Sequence, residues 1–168
     1  YGNKMIVFGG KDSSTVSSND VYELRLEGSG TWSKRTTTGT KPSGRHSHSA
    51  LLWKDALIIF GGQDQSTINL NDMYSLDLKT NVWTKITGSG SVPSARFCIT
   101  GATALLPNDK MVLFGGTATG GVYKDDLYTF DLVSNTWEAI TVTSDNKPSE
   151  RSTHQLYSYD ENIYIVGG

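Results

Sequence analysis

Short apolar runs and short alternating runs follow one another along the whole chain. Unbroken apolar runs occupy 57–60, 111–114 and 163–166, and each stands directly before a pair of glycines. Such runs are typical of strands that are covered on both faces. Between them lie alternating segments, for example Tyr74, Leu76 and Leu78 with polar residues in between. Alternation of period two indicates strands, and no segment has a convincing helical period, so the pattern predicts an all-β protein.

These segments belong to a repeating unit. Gly-Gly pairs begin at Gly9, Gly61, Gly115 and Gly167, at spacings of 52, 54 and 52 residues. A Tyr follows each of the first three pairs, then a Trp, then an Arg within Pro-Ser-x-Arg; these residues are Tyr22, Tyr74 and Tyr128, Trp32, Trp83 and Trp137, and Arg45, Arg96 and Arg151. Landmarks that recur in one register predict an internal repeat. Each unit contains four short strands, of which the first follows the Arg, as in Arg45 to Leu52, and the second ends in Gly-Gly.

Four-stranded units of this length, marked by Gly-Gly, Tyr and Trp, resemble kelch repeats, and the resemblance covers nearly the whole chain. The pattern Pro-Ser-x-Arg-x-x-His, complete at Arg45/His48 and Arg151/His154, is most similar to intracellular kelch propellers of the host-cell-factor, leucine-zipper-like and kelch-phosphatase types. The middle unit departs from it, with Ile99 at the His position. The resemblance implies a β-propeller in which each repeat forms one antiparallel four-stranded blade.

The chain begins and ends inside second strands. We therefore expect four segments of kelch repeat, namely a partial blade over 1–36, blades over 44–87 and 95–142, and a partial blade over 150–168. Unpaired edges would remain. The expectation is a segment of a six- or seven-bladed ring, with the rest supplied by sequence outside these residues.

Residues that recur in every blade are expected to be scaffold. The three repeated Trp residues should be largely buried beside a Tyr, and Gly-Gly should end the second strand in a turn of positive φ. The Arg residues have two interpretations. They either surround the channel mouth and attract carboxylates, or pair with backbone or an Asp within the scaffold, and the second is favoured.

Composition and charge narrow the function. Gly accounts for 18 of 168 residues, which suits a protein rich in turns, and the net charge is −2. Nucleic-acid binding needs clustered Lys and Arg; the stretch Lys34 to Lys54 is basic but is interpreted as solvated loop and strand. The longest apolar run, 56–60, is too short to cross a membrane. Cys98 is alone, so no intrachain disulfide is possible, and a cytoplasmic or nuclear location is expected.

No catalytic, cofactor or metal site is predicted. His46 and His48 alternate on one predicted strand, but a metal would need a third ligand, and core or channel packing is favoured. Cys98 has no neighbouring base motif and is expected to be a buried, unreactive thiol. The Gly-rich stretch 115–121 is not followed by Gly-Lys-Ser/Thr, so it is not a phosphate-binding loop.

The long loops give the functional prediction. In an antiparallel blade the connections from strand two to three and from strand four to the next blade lie on one face, and both are long here: 11–19, 34–44, 63–71, 85–95, 117–125 and 139–150. Binding residues gather on such loops. We expect a protein-interaction module that binds a protein partner of unknown identity through this face. Its candidate contacts are Arg45, His46, Asp64, Gln65, Arg96, Phe97, Tyr123 and Arg151. The alternative is part of a kelch-containing enzyme, either a catalytic sugar oxidase or mutarotase propeller or a propeller attached to a phosphatase domain.

Overall fold

The computed structural model describes residues 1–28 and 30–168, which form a succession of antiparallel sheets. The first blade has the order β1-β2-β3, and two short strands lead out of it. These are β1 (Lys4–Phe8), β2 (Val21–Arg25), β3 (Thr31–Arg35), β4 (Thr38–Gly39) and β5 (Arg45–His46). The all-β architecture predicted from the sequence is confirmed.

The second blade has four antiparallel main strands in sequence order, and short strands lie in the loops around it. These strands are β6 (Ser49–Trp53), β7 (Ala56–Phe60), β8 (Gln63–Asp64), β9 (Met73–Asp77), β10 (Val82–Ile86), β11 (Ser89–Gly90) and β12 (Arg96–Phe97). Its main order is β6-β7-β9-β10. The predicted four-stranded antiparallel blade is therefore present.

The third blade repeats this order as β13-β14-β17-β18, and a two-stranded sheet follows it. The strands are β13 (Thr103–Leu105), β14 (Lys110–Phe114), β15 (Thr117–Ala118), β16 (Val122–Tyr123), β17 (Leu127–Asp131), β18 (Thr136–Ile140), β19 (Gln155–Tyr159) and β20 (Asn162–Val166). A single 3-10 turn, Thr119–Gly121, lies between β15 and β16.

The core lies between the blades. Leu57 and Ile59 of β7 belong to a buried cluster with Phe8 of the first blade. Ile58 and Phe60, on the opposite face of the same strand, belong to the cluster shared with the third blade. The unbroken apolar run is thus covered on both faces, as the sequence pattern predicted. The second blade therefore packs against a neighbouring blade on each of its two faces.

The repeated Trp residues follow this packing, with one exception. Trp83 and Trp137 are buried, and their rings lie 5.1 Å from the rings of Phe8 and Phe60 in the preceding blade. Trp32 is 52% exposed, so the prediction that all three are buried is wrong for Trp32. The reason is that each Trp packs on the Phe that ends the second strand of the blade before it, and the first blade has none before it in this chain.

The first strand of each blade is shorter than predicted. Ser47 has φ of 53°, which separates β5 from β6, so Arg45 to Leu52 is not one strand. Cys98 and Thr153 have the same left-handed conformation, with φ of 55° and 56°. The kink lets neighbouring blades bond, since Thr153 N–H donates to the Cys98 carbonyl at 3.0 Å.

The segments that leave the outer strands are a second difference from the predicted structure. β4 pairs in parallel with β10, and β11 pairs in parallel with β18. Each segment therefore covers the outer edge of the next blade. Covering an edge removes unpaired backbone groups that would otherwise recruit another strand.

Candidate functional site

The connections from strand two to three meet the segments that enter the next blade on one face. The second glycine of each of the first three Gly-Gly pairs donates its N–H to the carbonyl of the repeated Arg of the next blade: Gly10 to Arg45 at 2.8 Å, Gly62 to Arg96 at 2.9 Å and Gly116 to Arg151 at 2.9 Å. We call this surface the long-loop face, and it comprises the loops 11–19, 63–71 and 117–125 with the segments 45–46, 96–97 and 151–152. The connections 34–44 and 85–95 leave this face, since Thr38 and Ser89 donate their N–H groups to the Asn81 and Asn135 carbonyls in the turns of the opposite face. Backbone bonds between loops make it a rigid surface.

Arg45 is a scaffold residue. Its side chain is fully buried, and its guanidinium donates to Asp72 at 2.5 and 3.2 Å, to the Gly61 carbonyl at 3.0 Å and to both the carbonyl and the hydroxyl of Ser43. It also lies 5.5 Å from the ring centroid of Tyr74. The recurring Ser, Arg, Gly, Asp and Tyr of a unit therefore serve one buried network.

Arg96 repeats this network in the third blade. It is fully buried and donates to Asp126 at 2.6 and 2.9 Å and to the Gly115 carbonyl at 2.8 Å. Neither Arg45 nor Arg96 presents a guanidinium to a partner. Their inclusion among the candidate contacts is corrected, and their contacts are those of the scaffold alternative.

Close backbone approach explains the glycine pair. Gly61 and Gly62 have φ of 63° and 93°. A Cβ on Gly61 would lie 3.0 Å from the Arg96 carbonyl oxygen, and one on Gly62 would lie 2.7 Å from the His46 carbonyl oxygen. The expected turn of positive φ is confirmed, and it is what allows the loops to pack.

Arg151 makes the same backbone and Ser contacts as the other two. It donates to the Gly167 carbonyl at 3.0 Å and to Ser149. The Asp of the network follows Arg45 and Arg96 by 27 and 30 residues, a position that for Arg151 lies outside residues 1–168. Asp20, which occupies the Asp position of the first blade, is paired with Lys34 at 2.8 Å instead. Arg151 is half-buried at the edge of the long-loop face.

Asp64 and Gln65 hold loops in shape. One carboxylate oxygen of Asp64 accepts the N–H groups of Ser66 and Ile68, both at 2.9 Å. Gln65 accepts from Ser17 N–H at 2.5 Å in the loop of the first blade. Asp12 occupies the position of Asp64 in that loop and binds its own loop in the same way, so this aspartate recurs in two blades, whereas the third blade has Ala118 there.

The aromatic candidates are accessible and lie at two separate places. Phe97 is half-buried in a cleft of about 380 Å³ between the second and third blades. Tyr123 is 56% exposed and lines a second cleft, of about 320 Å³, together with Arg151. His46 is half-buried and pairs with Gln63 across β5 and β8. The structure thus distributes the candidates along the long-loop face.

The other histidines are in the core. His48 is buried against Phe8, with ring centroids 5.3 Å apart, and burial lowers its pKa to about 4, helped by the charge of Arg45 and by His46. Burial likewise lowers the pKa of His154, which is fully buried. Burial raises the pKa of the Cys98 thiol. In residues 1–28 and 30–168 no three His, Cys, Asp or Glu side chains are grouped as a metal site.

Sequence reasoning missed two features of this face. Ile68 is 58% exposed beside Phe97 in the first cleft. The opposite wall is the turn Thr119–Gly121, where Ala118 replaces the loop aspartate. Aligning Asp64 to Ile68 with Asp12 to Val16 gives a signal for Ile68, because both polar loops end in an exposed apolar residue.

No helix within the described residues has the length and apolar character needed to cross a membrane.

Comparison with known proteins gives one family over the whole chain. The KLHDC2/KLHL20/DRC7 Kelch-repeats domain matches residues 1–168. The chain is 30% identical over 94% of its length to leucine-zipper-like transcriptional regulator 1 of Homo sapiens. It is 32% identical over 98% of its length to Kelch domain-containing protein 10 of Rattus norvegicus. A plant relative is N-(sulfonatooxy)prop-2-enimidothioate sulfolyase of Thlaspi arvense, 30% identical over 83% of the chain.

The chain spans only part of each of these relatives. The matched region covers 19% of the human protein, 42% of the rat protein and 40% of the plant protein.

Proposed function

The chain belongs to the kelch-repeat family, and from that premise we propose that it is a protein-interaction module that binds a partner protein through the long-loop face. The proposal rests on one observation. The connections from strand two to three are bonded backbone to backbone to the segments that enter the next blade, and the face they form displays different side chains from blade to blade. Recognition by such a surface is non-covalent.

The side chains that differ between blades are the proposed contacts. The residue after the repeated Arg is His46 in one blade, Phe97 in the next and Ser152 in the last. Tyr123 projects from the loop of the third blade. Aromatic groups are common energetic anchors at interfaces, where truncating one often costs about 2 kcal/mol or more. Arg151, which lines the second cleft together with Tyr123, is kept as a proposed contact, whereas the buried Arg45 and Arg96 are not.

The opposite face has little to offer a partner. The turns from strand three to four are shaped by Asp77 and Asp131, each of which accepts two backbone N–H groups within its own turn. These two turns have the same backbone hydrogen bonds, although Lys79 of one corresponds to Val133 of the other. Each turn is only three residues long, so it presents less side-chain surface than the long loops.

Variants of the two faces test the proposal. Phe97→Ala and Tyr123→Ala should each weaken binding of the natural partner by about tenfold or more, with unchanged thermal stability for Tyr123→Ala. Thr80→Ala, in an exposed turn of the opposite face, is the control and should bind normally. Equal affinity for all three variants would contradict the proposal.

One relative is named as a sulfolyase, so an enzymatic function is the second candidate. It would require reacting groups on the same face, where His46 pairs with Gln63 of the first cleft. The discriminating experiment is a turnover assay of the Thlaspi relative's reaction, with a His46→Ala variant as the control.

A further inference from the structure

We infer that the cleft between the second and third blades binds one large uncharged side chain, aromatic or aliphatic, from an extended segment of the partner. This inference rests on the proposed function and assigns a subsite within the long-loop face. The cleft has a volume of about 380 Å³. That lies within the range of about 300–1,000 Å³ found for pockets that hold small ligands.

The wall formed by the second blade is fixed in place. Asp64 closes its loop by accepting the N–H groups of Ser66 and Ile68. Gln63 and Asn69 join the two arms of the loop, because the Gln63 amide donates to the Asn69 side chain at 3.0 Å and their backbones form a bridge. Ile68 therefore lines the cleft from a loop of fixed shape, and its apolar side chain is 58% exposed.

The wall formed by the third blade is open. Its loop has Ala118 at the position that Asp64 occupies in the second blade, and the turn Thr119–Gly121 follows. Gly120 and Gly121 both have positive φ, and a Cβ built on either would meet nothing within 4 Å. Space above the cleft is thus left unfilled by the chain itself, while pairing of Phe97 with Thr117 fixes the base.

The chemistry of the lining selects the occupant. The side chains facing the cleft are apolar or neutral, from Phe97 and Ile68 to Gln63 and Asn69. A charged side chain would lose hydration there without gaining a counter-charge. The amides at the rim offer a carbonyl oxygen and an NH₂ group, which an extended backbone can use and a helix, whose backbone groups are already bonded, cannot.

Capped amino acids are suitable probes, since each contains one side chain between two amide groups. Saturation-transfer NMR on the full chain would compare N-acetyl-tryptophan amide with N-acetyl-aspartate amide and N-acetyl-lysine amide. We expect a saturable signal for the tryptophan probe and none for the charged probes. Ile68→Asp should weaken the tryptophan probe by about tenfold or more. Val16→Asp, at the same loop position in the first blade and 53% exposed, should leave it unchanged.

Three results would overturn the inference: no signal for the tryptophan probe, equal signals for charged and uncharged probes, or equal weakening by the two Asp variants. Because Ile68 is exposed, the Ile68→Asp variant should have the same thermal unfolding transition as the parent protein. Measuring that transition also shows that the variant is folded. The two proposals can fail separately. If the partner contacts the long-loop face but binds Ile68→Asp with unchanged affinity, only the inference about the cleft is wrong. If the partner binds the opposite face, the proposed function is wrong, and the result with the tryptophan probe is unaffected.

Discussion

At the scale of single residues, recurring and blade-specific side chains have different roles. The recurring Arg45 and Arg96 use all their N–H donors in hydrogen bonds within the fold. The recurring glycines allow a close backbone approach that a Cβ would block. Blade-specific Phe97 and Tyr123 are not needed for these contacts. Recurrence therefore identifies scaffold, and difference identifies the candidate surface.

Arg45→Lys should destabilise the fold by about 3 kcal/mol, because a buried charge pair loses its bidentate geometry and leaves acceptors unpaired. Arg151→Lys is the matched change where no carboxylate is paired among the described residues, and it should cost less than about 1 kcal/mol. Urea unfolding measures both. Equal losses would show that the carboxylate pair is not what stabilises Arg45.

Acid should destabilise the chain through His48. Its pKa is about 4 in the folded state against an ordinary value of 6.5, so the unfolded chain binds the proton first as pH falls. Stability contributed by neutral His48 is present above pH 6.5 and is lost between pH 6.5 and about 4, by about 3 kcal/mol in all. His48→Ile should lose less over that window, since Ile99 already occupies the equivalent position of the middle unit. Unfolding midpoints of the parent protein and of His48→Ile are measured at each pH. Parallel curves for the two proteins would refute this prediction.

At the scale of elements, the sequence pattern predicts strands better than it predicts where they begin. Apolar runs before Gly-Gly identify β7 and β14 because both faces of those strands are buried. The kink at Ser47 could not be predicted, since a serine gives no local signal for a φ of 53°. The short parallel pairings of β4 and β11 could not be predicted from the sequence either, because they depend on contacts between blades.

Trp83 and Trp32 separate the effect of the residue from that of its neighbour blade. Trp83→Ala should cost about 3–5 kcal/mol as a large-to-small change in the core. Trp32→Ala should cost less than about 1 kcal/mol, because half of that side chain is exposed. Chemical denaturation of both variants checks the pair. A small loss for Trp83 would mean that the inter-blade contacts do not hold the sheets together.

At the scale of the whole molecule, the terminal sheets present open edges. Within the described residues β1 pairs only with β2, and β20 pairs only with β19. Tyr164 and Val166 of β20 are 50% and 57% exposed. A ring of six or seven blades, which would cover such surfaces, remains a prediction.

Residues 1–168 expressed alone should therefore associate or be poorly soluble, because unpaired edges and apolar sheet faces recruit other strands. Sedimentation velocity at several concentrations measures this. A monomer at every concentration, with one sharp thermal transition, would contradict the expectation.

The candidate site was only partly predictable for the same reason. Strand parity is enough to place the connections from strand two to three on one face, and comparison between units is enough to single out Phe97 and Tyr123. Whether an Arg faces inward depends on an Asp distant in sequence, as Arg45 and Asp72 show. A cleft depends on two blades at once, so the position of Ile68 opposite the glycine turn emerges only from the fold.

A cross-linking map of the intact protein bound to its natural partner tests the central claim most directly. The account predicts contacts in the loops 63–71 and 117–125 and beside Phe97, with the turns at 79–81 and 133–135 free of cross-links. Contacts concentrated in those turns, or along the outer strands β10 and β18, would contradict it.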